Sequence, residues 1–142
     1  MTRFGTARST AAPVILATLT LLGCPGPAEP DLTWRPAFDA EDAGWLMNAW
    51  GPAEDDIYAV GGAMDAGGVV HFDGETWSPM ATPEVPLLNW TFGFAADDVH
   101  VVGNDGTILH WDGAAWSAVE SQTDKDLWGV WGAAPDDVWA VG

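Results

Sequence analysis

One cysteine, one tyrosine and four Lys and Arg residues in a chain of 142 each remove a class of explanation. A lone Cys24 can close no internal disulfide and offers no paired thiols for redox work or a structural zinc. Against the four cations stand 21 Asp and Glu, for a formal net charge of −17. Such a polyanion repels phosphate backbones and gains nothing from counterion release, which sets nucleic acid aside as a partner. The same acid keeps an aromatic-rich surface soluble. No apolar run reaches the roughly twenty residues needed to cross a bilayer as a helix. What is plentiful is 10 Trp and 17 Gly, a composition of short aromatic strands and tight turns rather than helices.

The amino terminus carries Arg3 and Arg8 without an acidic residue, then an apolar run from Ala11 to Leu22, then Gly23-Cys24. A charged segment, a short apolar segment and a small residue before the cut make an export signal. Its Leu21-Leu22-Gly23-Cys24 end resembles the lipobox of bacterial lipoproteins. That resemblance implies cleavage before Cys24, lipidation of its sulfur and acylation of the new amino group, with Pro25 after the cysteine implying the outer membrane. Several acyl chains at about 0.8 kcal/mol per buried CH₂ make such an anchor effectively permanent. Loss of Arg3 and Arg8 leaves the mature chain two charges more negative, with Arg35 and Lys125 as its strong cations. The expected organisation is a signal peptide over 1–23, a Pro- and acid-rich tether over 24–44, and a repeat region over 45–142.

The repeat declares itself through three landmarks that keep step. Trp50-Gly51, Phe92-Gly93 and Trp131-Gly132 are separated by 42 and 39 residues. The double acids Asp55-Asp56, Asp97-Asp98 and Asp136-Asp137 keep the same two offsets. So do Val60-Gly61, Val102-Gly103 and Val141-Gly142. Asp73-Gly74 with Trp77 recurs as Asp112-Gly113 with Trp116 after 39 residues, so the first unit carries three extra residues between Gly61 and His71. These are expected in a loop holding Ala63, Met64 and Asp65, where extra length costs little. The units run over 45–86, 87–125 and, in part, 126–142.

Each unit reads as four short strands. The first is an aromatic stretch such as Leu127-Trp128-Gly129-Val130-Trp131, expected to end at the following glycine. An Ala-, Pro- and Asp-rich turn leads to a second strand, apolar on both faces: Ile57 to Val60, Val99 to Val102, Val138 to Val141. The third is Val69 to Phe72 or Ile108 to Trp111, and the Asp-Gly after it signals a tight hairpin into a fourth strand bearing Trp77 or Trp116. Sheets apolar on both faces must stack on one another. The expected fold class is therefore all-β, with β-propeller-like repeats of about four strands each. Roughly two and a half blades cannot close a ring, so the chain is read as a fragment, as copies that associate to complete one, or as an open curved array with bare strand edges, the fragment being favoured.

Trp131-Gly132, Pro135-Asp136-Asp137-Val138-Trp139-Ala140-Val141-Gly142 and the paired Asp-Gly-x-x-Trp motifs resemble tandem repeats of exported bacterial proteins related to BNR or Asp-box propellers. The Asp-box pattern places one residue between Asp and Gly, whereas Asp73-Gly74 and Asp112-Gly113 are adjacent. The resemblance brings in glycosidases such as sialidases, which use carboxylates, a Tyr nucleophile and an Arg cluster. The repeat region has no Arg, and its one Tyr, Tyr58, stands where the other units place His100 and Trp139, as a bulky strand filler.

The second-strand acids Asp56, Asp98 and Asp137 and their neighbours recur in every unit, which favours turn formation over acid–base pairs or Ca²⁺ ligands. His71 and His110 occupy equivalent positions; with His100 they are read as structural, and no metal or other cofactor is expected beyond the Ca²⁺ that the acids could ligate. The remaining landmarks (Trp50, Gly51, Gly61, Asp73, Gly74, Trp77, Gly93, Gly103, Asp112, Gly113, Trp116, Trp131, Gly132, Gly142) are read as structural, and Cys24 as the lipidation site. No catalytic residue is named. The expectation is a membrane-anchored, non-catalytic binding or scaffold module for a protein or glycan, with a glycosidase-like fragment and a purely structural envelope protein as the alternatives.

Overall fold

The computed structural model describes residues 33–142. The expected signal peptide, Cys24 and most of the tether lie outside the described residues. The compact unit spans Arg35–Gly142, and it is all-β, built of three antiparallel sheets, none of them closed. The first sheet comprises β1 (Trp45–Ala53), β2 (Asp56–Ala63), β3 (Ala66–Phe72) and β4 (Trp77–Pro79), in that spatial order. The second repeats it with β5 (Leu88–Ala95), β6 (Asp98–Gly103), β7 (Ile108–Trp111) and β8 (Trp116–Ala118). The third consists of β9 (Gly129–Ala134) and β10 (Asp137–Val141).

The four-strand reading thus holds for the first two units, with two corrections. The first strand does not stop at its glycine: β1, β5 and β9 run through Gly51, Gly93 and Gly132 for two further residues. The ladder shifts register beside these glycines, between Trp50 and Ala53 and between Gly93 and Ala95, so the glycine marks a bulge rather than an end. A side chain at Gly51 would press its Cβ to 2.2 Å from the carbonyl oxygen of Asp56. The three extra residues of the first unit, for their part, do more than lengthen a loop. They extend the β2–β3 hairpin through Gly62 opposite Gly67 and Ala63 opposite Ala66, where the second unit makes a one-turn 3-10 link, Asn104–Gly106.

The sheets stack in sequence. One buried cluster, with Tyr58, Val60 and Val69 from the first sheet and Leu88, Val99, Val101, Leu109 and Trp116 from the second, joins those two. A smaller one, Val102, Leu127 and Val130 with Phe92, Ile108 and Val138 packed against it, joins the second to the third. The second sheet is therefore covered on both faces, and Leu88, Val99, Val101, Val102 and Leu109 are fully buried. The expectation of a two-faced apolar second strand holds for β2 and β6. In β10 every residue but Val138 is exposed.

Each stacking contact passes over a glycine. The Trp50 ring lies on Gly93, where a Cβ would sit 2.6 Å from Cζ3, and the Phe94 ring lies on Gly132, with a Cβ 2.5 Å from Cζ. Gly93 and Gly132 of the landmarks are thus backbone on which a ring from the preceding sheet is seated, Trp50 in one case and Phe94, two residues past the landmark Phe92, in the other. Gly61, Gly103 and Gly142 share a second cause: a Cβ on each would meet the carbonyl oxygen of Trp45, Leu87 or Asp126, where the chain enters the first strand of the same sheet.

The last residues of the expected tether are docked. Phe38 stacks on Trp77 at 4.8 Å between ring centroids, and Trp77 stacks on Phe72 at 5.3 Å. A 3-10 turn, Glu41–Ala43, then leads into β1.

Candidate functional site

The second acid of each double-acid turn is the first residue of a second strand, and its carboxylate is an acceptor in all three sheets. Asp56 Oδ1 lies 2.6 Å from His71 Nε2 on β3. Asp98 Oδ1 lies 2.9 Å from His110 Nε2 on β7 and 3.3 Å from His100 Nε2 on β6 itself. Asp137 Oδ1 accepts from the indole Nε1 of Trp139 at 2.7 Å. Asp98 and His100, two residues apart on one strand, share a face, and His110 is the cross-strand partner of His100, so the ladder brings all three together. The two imidazoles stack at 4.6 Å with 27° between planes. Burial, then the neighbouring His110, hold the pKa of His100 below the usual histidine range against the opposing pull of Asp98.

The first acid of each pair does something different. Asp55 and Asp97 sit in the turns, and their Cβ atoms would be 3.1 Å and 2.8 Å from a side chain at Gly74 and Gly113. Those glycines have φ of 91° and 87°, which favours glycine on backbone grounds as well. In front of them Asp73 Oδ1 accepts from the backbone N–H groups of Glu75 and Thr76 at 3.0 and 2.7 Å. Asp112 does the same with Ala114 and Ala115 at 2.9 and 2.8 Å. These bonds, with those from Thr76 and Ala115 the strongest, hold both exposed carboxyls below the usual Asp range. The hairpin expected at each Asp-Gly is present, as a four-residue loop between the pairs Phe72–Trp77 and Trp111–Trp116.

Tyr58 is buried, and its hydroxyl donates to the Ala96 carbonyl oxygen in the β5–β6 turn at 2.9 Å, an acceptor it shares with Trp111 Nε1 at 3.1 Å. Burial, and then the carboxylate of Asp56, raise its pKa. The phenol is thus a fastener between sheets and poorly disposed to act as a nucleophile. The parallel with Trp139 is positional only, since that ring is 65 % exposed.

Where the first strands of the three sheets lie side by side they line a groove of about 610 Å³. Trp50, Phe92 and Trp131, the aromatic residues of the Trp-Gly and Phe-Gly landmarks, succeed one another along it at 6.4 and 6.5 Å, each pair tilted by 45°. Trp90 and Trp139 stand beside them, and Trp90, Trp131 and Trp139 are all exposed. The polar groups of the groove are few: Asn48 Oδ1 accepts from the Thr91 N–H at 3.2 Å, and the Thr91 hydroxyl is buried with no partner among the described residues. The sequence marked Trp50 and Trp131 as structural landmarks and missed the groove, because Trp90 has no counterpart in the other units and Trp139 reads as a second-strand filler. Of the landmark side chains, Trp116 is buried in the core between the first and second sheets and Trp77 packs at the outer edge of the first.

Comparison with protein-family models, curated proteins and solved structures finds no match to this chain.

Proposed function

We propose that this chain is a lipid-anchored envelope protein whose propeller-type repeats present an aromatic groove to a partner protein, without catalysis. The observation that carries the reading is the groove itself: five aromatic side chains from three successive sheets, three of them exposed tryptophans, on a rigid β scaffold. Exposed indoles are costly to leave in water and are enriched where proteins meet partners. The scarcity of free polar groups around the rings favours an apolar segment of a protein over a glycan, which would need hydrogen-bond partners for its hydroxyls. Sequential four-stranded units whose first strands adjoin suit a propeller-type array. The exposed face of β9 and β10 suits a further unit, or a second copy of the chain, completing it. Against the glycosidase-like alternative stand the absence of Arg from residues 45–142 and the engagement of the Tyr58 hydroxyl with Ala96. The anchor rests on the lipobox-like residues before Cys24 and on the apolar leader.

The test is a titration of the full chain, followed by Trp fluorescence, against purified envelope proteins and a glycan panel. Saturable binding of a protein that Trp90→Ala and Trp131→Ala each weaken at least about tenfold supports the reading, since central aromatic anchors carry ~2 kcal/mol or more. Binding indifferent to both substitutions, or turnover of a glycoside, overturns it. Intact mass of the product from its own membranes tests the anchor, which predicts acyl mass on Cys24.

A further inference from the structure

The geometry points to a divalent transition-metal site at Asp98, His100 and His110, of the kind that takes Zn²⁺. Among the described residues these are the one set of three His, Cys, Asp or Glu side chains close enough to share an ion. Three features argue for an ion rather than a chance cluster.

The first is convergence. Both imidazoles bring Nε2 close to the same carboxylate oxygen, at 2.9 and 3.3 Å, and the three donor atoms all lie within 4.8 Å of one another. Ligands bound to Zn²⁺ at ~2.0–2.2 Å in tetrahedral array are spaced about 3.3–3.5 Å apart, so shifts of a few tenths of an ångström to about an ångström and a half bring all three to an ion. The second is an unmet need. His100 Nε2 is buried and makes no hydrogen bond, its approach to Asp98 being poorly aligned. A buried ring nitrogen without a partner is costly, and a cation satisfies it together with both neighbours. The third is the internal control. The first sheet has the same frame, Asp56 on His71, with Tyr58 packed against His71 at 4.5 Å and a tilt of 33° where His100 stacks on His110 at 4.6 Å. There the second nitrogen is missing, and the Tyr58 hydroxyl is engaged with Ala96. Only the second unit therefore has the donor set.

Two imidazoles and one carboxylate favour zinc or its first-row neighbours over Ca²⁺, which takes six or more oxygens. The ion would tie β6 to β7, and the half-buried setting leaves water to complete its coordination.

The experiment is calorimetric titration of Zn²⁺ into the full chain with excess Mg²⁺ present to occupy the surface acids. NMR of the histidine ring protons follows the same titration. One equivalent is expected to bind, with shifts at His100 and His110 and none at His71. His100→Tyr places in the second unit the residue that the first unit already accommodates, and is expected to cost at least about a hundredfold in affinity, a ligand mattering at least as much as the outer-shell groups that cost 10–100-fold. His71→Ala is expected to leave affinity unchanged. Absence of Zn²⁺ binding under Mg²⁺, ring shifts at His71 instead, or undiminished affinity in His100→Tyr each overturn the assignment. Should the variant fail to fold, the ring-proton shifts of the unsubstituted chain decide.

Discussion

Gly93→Ala tests whether the sheets are held by rings seated on bare backbone. A methyl group there would lie 2.6 and 2.7 Å from Trp50 Cζ3 and Cη2, and 2.8 Å from the Asp98 carbonyl oxygen. Ordinary contact requires roughly an ångström more, and the indole has little room to yield, with Tyr58 at 6.4 Å on one side and Phe92 at 6.4 Å on another. Overpacking of this kind costs about 1–3 kcal/mol. Replacing glycine in extended backbone returns about 0.4–1 kcal/mol by restricting the unfolded chain. The net expectation is a loss of about 1–2 kcal/mol, read as a lower urea midpoint at unchanged m-value in equilibrium unfolding. The attribution to the ring is checked in a Trp50→Leu background, where the added methyl faces only the carbonyl and the penalty is expected to fall by about 1 kcal/mol, a coupling typical of residues in contact. A neutral or stabilising Gly93→Ala, or one equally costly in both backgrounds, refutes the seating of one sheet on the next.

Two further outcomes follow from the hydrogen bonds. Because backbone donors hold the folded pKa of Asp73 and Asp112 below the unfolded value of ~3.9, their stabilisation is present above that pH and is lost as pH falls through the folded pKa. Asp73→Asn with Asp112→Asn, which keeps an acceptor without a titrating proton, is expected to flatten the acid decline in stability below about pH 4, and an unchanged decline counts against it. Tyr58→Phe removes the bond to Ala96 but leaves that carbonyl to Trp111, so the loss by urea unfolding is expected at ~0.5–1.5 kcal/mol; a loss above ~3 kcal/mol means that the hydroxyl does more than join two sheets.

The units, their strand order and their hairpins were legible because they depend on neighbours in sequence: apolar alternation, Asp-Gly turns, glycines at fixed offsets. The true length of the first strand was not, since a glycine at a bulge looks in one dimension like a glycine at an end. The Asp–His pairs were hidden by the same three residues that the repeat alignment had exposed. Asp56 and His71 are 15 apart and Asp98 and His110 are 12 apart, so no fixed spacing advertises them until the β2–β3 and β6–β7 registers are known. Docking of Phe38 on Trp77 was beyond reach for a different reason: the two aromatics of the proline- and acid-rich stretch, Trp34 and Phe38, show no periodicity to betray a partner. The groove required knowing that the first strands of three sheets adjoin, which is a tertiary fact.

The recurring acceptor shows how one scaffold position takes on different work. Asp56, Asp98 and Asp137 open the second strand of each sheet, and for Asp56 and Asp98 the carboxylate needs a donor because its surroundings are partly closed to water, whereas Asp137 is exposed. The first unit supplies the imidazole of His71, the second the imidazoles of His110 and His100, and the third the indole of Trp139. The structural demand, one donor per acid, is met in every unit. Only the second unit exceeds it, with two nitrogens for one oxygen and one of them left without a hydrogen bond. A position serving packing alone would tolerate Tyr58 or Trp139 there equally well. Excess over the structural requirement at His100, rather than the recurrence of the acid, is therefore where a specific chemical role is to be sought.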